Sequence, residues 1–294
     1  MRESERKRRS GKNRLVLAMD SQALNAAQVC KRLYYLTKAE KLVRIGSKRA
    51  YEIGTMVHDI MHRVTRAKLN RRIFTQAQLL EIGYKVIRRA HLRGLLDEDA
   101  LVFHTVKYTQ YVSWFQNQER YYKPLGNEVR FSKLLYEDMD VIFAYEGRID
   151  LVLRIEPAGI NAWADYKTQG RDYSIYTNRN QFLGYSWAID TNIGFIIYYG
   201  LQKEKSDPFR LEPISHPSGL IEQWKQDTIR TYRDVLARIP FGEDAFERNR
   251  SACDSGKFGN CPFIPICDNS WVAPPVQEGI RRNFFKESDW TPWK

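Results

Sequence analysis

Two aspartates set in strand-like apolar runs constrain this chain more than any other feature. In "YEGRIDLVLRIEPAGINAWADYKT", Tyr145 to Thr168, Asp150 and Asp165 each interrupt an alternating run, and Lys167 follows two residues after the second. "PAGIN" lies between the runs and supplies a hairpin turn. A carboxylate in a buried strand costs free energy unless it is paired or holds a metal. Residues two apart on a strand share a face, so Asp165 and Lys167 point the same way, and the hairpin can bring Asp150 near both. Converging acids hold a hard divalent cation through oxygen, Mg²⁺ or Mn²⁺, while the ammonium orients water or stabilises charge building on a phosphoryl group. A cross-strand salt bridge on an exposed face is the plainer reading of the same three residues.

The rest of the chain frames that hairpin. Residues 1 to about 18 read as a basic, flexible tail, and Ser21 as the cap of a helix carrying Leu24, Ala27, Cys30, Leu33 and Tyr34 on one side. Ile53, Met56, Val57, Ile60, Met61 and Val64 keep helical spacing between Tyr51 and Leu69. "TQAQ" at Thr75 has the form of a capping box, and helical patterns continue to about Tyr122. "NEVRFSKLLY", "MDVIFAYEG", "RIDLVLRIE" and "INAWADYK" then alternate like strands. Helical spacing returns from Asn178 to about Ile189, followed by the β-rich "GFIIYYGL", a further strand in "FRLEPISH" and a helix over residues 217 to 238. After Ile239 the Gly, Pro and Cys content reads as irregular. The expected organisation is a tail over 1–18, a helical part over 19–125, an α/β core over 126–240 and a cysteine segment over 241–294, all in one structural domain.

"GRID", "ADYKT" and "QFLGY" in that order resemble the PD-(D/E)XK nuclease superfamily, in particular its RecB-like branch. The resemblance implies a restriction-endonuclease-like mixed β-sheet flanked by helices, and a metal-dependent DNA nuclease, with exonuclease action the expectation. Within it Lys167 acts on the transition state, and Gln181 and Tyr185, one helical turn apart, orient DNA and the lysine. "GTMVHDIMH" matches the branch's upstream Gly-x-x-x-His helix at Gly54 and His58. That makes His58 a metal ligand beside Asp150 and Asp165, with the backbone carbonyl of Tyr166 a further one. His62, one turn on, reads as structural, and Glu128 in "NEVRF" matches less distinctively an acidic position before the first strand.

Four cysteines occur: Cys30, Cys253, Cys261 and Cys267. One precedes the core and three follow it, which is similar to the RecB-like subset holding a [4Fe–4S] cluster, among them AddB-type helicase–nucleases and the exonucleases of CRISPR adaptation. Seven residues separate Cys253 from Cys261, where the commoner pattern has two. The resemblance implies a structural cluster stapling the two ends of the chain; a four-thiolate Zn²⁺ site suits the same ligands, and four free thiols is the bland alternative.

Charge fits a polyanionic partner. The chain is +12, and five of those charges fall in the first 14 residues. "KYTQYVSWFQNQERYYK" interleaves aromatics with basic residues, as a single-strand groove would, although a buried helix face explains most of its rings better. No apolar run approaches the ~20 residues of a membrane span, and "MRESERKRRSGKNR" has no apolar signal region, so an intracellular protein is expected. The expected partner is DNA with single-stranded ends. No helicase motif is present, so unwinding would come from a helicase or recombination protein, and the layout would suit a phage or mobile-element nuclease. The alternatives are an inactive DNA-binding or recombination-partner protein of the same fold, and a zinc-dependent interaction module.

Overall fold

The computed structural model describes residues 14–46, 49–69, 74–169, 179–200, 209–253 and 260–288. Its elements begin with β1 (Leu15–Met19), α1 (Ser21–Val29), α2 (Lys31–Tyr34), β2 (Leu42–Arg44), α3 (Arg49–Leu69), α4 (Gln76–Leu92) and α5 (Glu98–Gln118). Next come β3 (Tyr122–Glu137), β4 (Val141–Ile155), β5 (Ile160–Gln169), α6 (Asn180–Ala188), β6 (Ile193–Gly200) and β7 (Phe209–Ser215). The described chain closes with α7 (Ser218–Arg238), α8 (Ile264–Asp268), α9 (Pro274–Phe284) and β8 (Phe285–Glu287). This is the mixed α/β architecture, a mixed sheet flanked by helices, that the resemblance implied. The described residues fall into two compact units, and β3 and β4 each run through both.

One unit comprises Gly46–Arg130 and Arg148–Ser218. The hairpin forms as expected: β4 and β5 pair antiparallel from Leu151↔Ala164 to Ile155↔Ile160, turning through Gly159 at φ 66°, which glycine adopts without strain. β5 then runs parallel to β6, with α6 as the crossover, and β7 returns antiparallel. The helical stripe read in α3 is the one that is buried: Met56, Val57, Ile60, Met61 and Val64 pack with Leu79 and Ile87 of α4, Tyr108 and Val112 of α5, and Leu151, Tyr166 and Ile197 of the sheet. Thr75 caps α4 through the expected box with Gln78. Of the interleaved aromatics, Tyr111 and Phe115 are core, and Tyr111 packs on the Tyr199 and Phe209 rings; Tyr121 is exposed. The aromatic run is therefore mainly the buried face of α5.

The other unit comprises the described parts of Met1–Ile45, Phe131–Gly147 and Gly219–Lys294, and it corrects several expectations. Residues Leu15–Met19, read as tail, form a parallel strand against Val141–Tyr145. The flanking basic run hid the five-residue β-prone stretch "LVLAM". Tyr232 of α7 holds that pairing, its hydroxyl accepting from Met19 N at 2.9 Å and donating to Ala144 O at 2.5 Å. The cap of α1 is Asp20, which accepts from Ala23 N at 2.7 Å, and not Ser21. The helix read through Tyr34 breaks at Cys30, whose backbone is extended at φ −158° and ψ 117°. The segment after Ile239 is not all irregular: α8 and α9 begin with proline in their first turn, which starts a helix as readily as it stops one, and β8 pairs antiparallel with β2.

Candidate active site

Strand β5 carries Asp165, Tyr166 and Lys167, and β4 carries Asp150, so the hairpin register sets the two acids side by side. Asp150 Oδ2 accepts from Tyr166 N at 2.9 Å, which ties the first aspartate to the backbone between the other two residues. Asp165 is 1% exposed. Its Oδ1 accepts from Gln181 Nε2 at 2.8 Å. Its Oδ2 lies 2.5 Å from Lys167 Nζ as an ion pair and accepts no well-angled hydrogen bond. Burial pushes the Asp165 carboxyl up to about 6; Lys167 opposes that rise, Asp150 adds to it and His58 opposes it. The Lys167 ammonium also sits 5.6 Å from the centre of the Phe182 ring, so one side of it is dry.

Helix α6 links these groups. Gln181 Nε2 donates to Tyr185 Oη as well as to Asp165, and Tyr185 Oη donates to the Arg148 carbonyl at 2.7 Å. Asp165, Gln181, Tyr185 and the Arg148 carbonyl in the middle of β4 therefore form one hydrogen-bonded line. Tyr185 is buried and Gln181 half-buried. The i, i+4 spacing read in the sequence thus joins them to each other and to the second aspartate.

Helix α3 approaches from the side. His58 Nδ1 lies 3.4 Å from Asp150 Oδ2, with a third of its side chain exposed. Gly54, one turn earlier, lets the helix come this close: a Cβ there would lie 3.3 Å from Thr168 Oγ1, tighter than an ordinary contact. His62 does not join the carboxylates. Asn127 Nδ2 engages its ring nitrogen at 3.0 Å and its carbonyl at 2.8 Å, the structural role read from its position. Glu128 stands at φ 52°, a left-handed conformation unusual for a residue with a side chain. Its carboxylate pairs with Arg148 Nε at 2.6 Å. Burial raises the Glu128 carboxyl, Arg148, His58 and Arg130 oppose that, and Asp165 adds to it. Arg148, Asn127 and Phe182 are the site residues that the sequence reading did not single out. "GRID" contained Arg148, but nothing in its spacing marked it.

Two carboxylates, one of which has a buried oxygen (Asp165 Oδ2) without a hydrogen bond, and one imidazole form a donor set suited to a hard or borderline divalent cation. Among the described residues no three His, Cys, Asp or Glu side chains are already set to hold a metal ion. As placed, Asp150 faces His58 and Asp165 faces Lys167.

The cysteines gather in the other unit. The Asn249 peptide lies between two of them: its N–H donates to Cys30 Sγ at 3.4 Å and its carbonyl accepts from Cys253 Sγ at 3.7 Å. Cys261 N donates to Cys253 O at 2.9 Å. Burial pushes the Cys267 thiol up to about 11, with Arg248 and Arg32 opposing and Cys261 and Cys30 adding to the rise. Cys261 is raised by burial first, and Cys253 and Cys30 add to it. Cys261 and Cys267 pack against a small core of Leu36, Phe263, Ile266 and Phe285. All four cysteines are only partly covered.

Residues 21–268 match the family model of the PD-(D/E)XK nuclease superfamily. No curated protein matches the sequence. Among solved structures, a protein provisionally named an exonuclease, from Eubacterium rectale, is 14% identical, with 93% of this chain and 94% of that one covered at a TM-score of 0.44. SSO0001 is 12% identical over 92% and 93% of the two chains, at 0.38. LHK-Exo in complex with dAMP is 12% identical over 65% of this chain and 95% of that one, at 0.30. At such scores the family match, and not these neighbours, carries the assignment.

Proposed function

The chain belongs to the PD-(D/E)XK nuclease superfamily, and from that premise we propose that it is a metal-dependent deoxyribonuclease that acts as an exonuclease. The observation that carries the reading is the joined line Asp150–Tyr166 N and Lys167–Asp165–Gln181–Tyr185, built on one hairpin and one helix. A salt bridge kept for stability alone would not need a second buried aspartate beside it, since each added buried charge costs free energy.

Asp150, Asp165 and His58, with the Tyr166 carbonyl, would hold Mg²⁺ or Mn²⁺. A cation bound there supplies positive charge to the phosphodiester and lowers the pKa of a coordinated water. Gln181 holds the Asp165 carboxylate in one orientation. Lys167, ion-paired with Asp165, donates a hydrogen bond to the attacking water or to the phosphoryl oxygens as they gain charge. Water gives up a proton to solvent as its oxygen bonds to phosphorus, the bond to the leaving sugar oxygen breaks, and that oxygen takes up a proton from solvent to leave as a hydroxyl. Gln181 and Tyr185 fix the line that presents both lysine and DNA.

The four cysteines we assign to a [4Fe–4S] cluster, on the resemblance of their order along the chain and on the Asn249 peptide, which contacts both Cys30 and Cys253; Zn²⁺ on the same thiolates is the competing metal.

The test of the activity is incubation with end-labelled single- and double-stranded linear DNA and with closed circles, each with Mg²⁺, Mn²⁺ or EDTA. Exonuclease action should release label from linear DNA with either cation, leave circles whole and stop in EDTA. Cleavage of circles would replace exonuclease with endonuclease, and no cleavage of any DNA would refute the reading.

A further inference from the structure

The proposed reaction leaves Arg148 unused, although Arg148 stands on β4 two residues before Asp150 and is one of several exposed arginines in this unit. Arg63 and Arg66 on α3, Arg130 on β3 and Arg148 on β4 are all exposed. His62 sits among three of them: burial lowers its imidazole first, and Arg66, Arg63 and Arg148 lower it further, with Asp59 opposing. Arg148 and Arg130 likewise both act on Glu128. Arg63 is committed to Asp59 one turn away, at 2.8 Å. Among the described residues Arg66 and Arg130 make no ion pair.

Arg148 differs from the others in how it is held. Its carbonyl accepts from Tyr185 Oη, and Tyr185 is joined through Gln181 to Asp165, so its backbone is fixed to the carboxylate site. Its side chain is 41% exposed, and its head meets Glu128. A guanidinium fork binds carboxylate and phosphate in the same geometry, so exchanging one for the other sacrifices no directed contact.

Building on the nuclease reading, we propose that Arg148 anchors a DNA phosphate next to the one cleaved, that Glu128 latches its guanidinium until DNA arrives, and that Arg66 and Arg130 continue the phosphate track along the strand. The latch keeps the arginine in place and its charge balanced in free protein. Incoming DNA displaces one acceptor by another.

The test measures binding of a fluorescent DNA oligonucleotide by the full-length protein in EDTA, as a function of salt, so that cleavage plays no part. Arg148→Gln should weaken binding and reduce the slope of log affinity against log salt by about one. Glu128→Gln should tighten binding several-fold with the slope undiminished. The double variant, which leaves no unpaired carboxylate to disturb folding, should bind like Arg148→Gln. A wild-type slope in both Arg148→Gln and the double variant would overturn the phosphate assignment. Unchanged or weaker binding in Glu128→Gln would overturn the latch. Either result, in protein that still cleaves DNA, would leave the nuclease reading standing; no binding and no cleavage under any condition would overturn both.

Discussion

Lys167 is the residue whose removal separates chemistry from binding. Lys167→Ala should lower kcat on the order of 10² or more while DNA affinity in EDTA stays within a few-fold, because the ammonium acts on charge that develops in the transition state. Single-turnover cleavage and equilibrium binding measure the two. The two histidines of α3 give a second contrast. His58→Ala should weaken cleavage in both Mg²⁺ and Mn²⁺, with Mn²⁺ at least as good as Mg²⁺ in the wild type. His62→Ala should lose stability through its Asn127 contacts yet keep the wild-type metal response; the reverse pattern would exchange their roles. His104 supplies a test of pH. It is 4% exposed with a buried Nδ1 lacking a hydrogen bond, and burial lowers its pKa. A lowered histidine favours folding fully above its unfolded value of about 6.5, and that contribution is lost as pH falls through the lower folded value. Melting temperatures taken from pH 8 to pH 5 should therefore fall less steeply in His104→Leu than in the wild type.

At the scale of elements, close approach positions the site. Gly54→Ala would put a methyl 3.3 Å from Thr168 Oγ1, so the Thr168 side chain or α3 must give by a few tenths of an ångström, and where α3 gives, His58 moves with it. The expected result is a clear loss of cleavage with under ~1.5 kcal/mol lost in stability, since misplacement of this size harms chemistry more than packing. Urea unfolding and initial rates on the same samples would show it. Much of this was legible in the sequence. Period-3.6 stripes marked α3, and period-2 runs around "PAGIN" marked the β4–β5 hairpin, because one face of each is buried and the pattern follows. Asp150, Asp165 and Lys167 were legible because charges in apolar strands stand out against that pattern. Arg148 and the left-handed Glu128 were not, since an exposed arginine within a strand fits the ordinary alternation and a positive φ leaves no periodic trace. β1, α9 and the break at Cys30 were missed where short elements rest on tertiary partners, as β1 does on Tyr232, more than on their own propensities.

At the scale of the whole molecule, Cys30 meets the segment around residue 249, its Sγ accepting from Asn249 N at 3.4 Å, and the proposed cluster would staple the two. Protein purified without oxygen should be brown, absorb broadly in the visible and contain about four irons per chain. Cys30→Ser, Cys253→Ser, Cys261→Ser and Cys267→Ser should each bleach it and lower the melting temperature, because each thiolate carries part of one staple. Colourless protein with stoichiometric zinc would replace the cluster, and colour kept by Cys253→Ser alone would exclude the cysteine with the unusual spacing. Among the described residues no helix is long and apolar enough to cross a membrane. The most direct measurement of the central claim is cleavage of end-labelled linear DNA by the wild type, Asp150→Ala, Asp165→Ala and Lys167→Ala, with Mg²⁺, Mn²⁺ or EDTA. The wild type should degrade the DNA with either cation and not in EDTA, and all three variants, folded by circular dichroism, should be inactive or nearly so. Wild-type rates in the three variants, or undiminished cleavage in EDTA, would contradict the account.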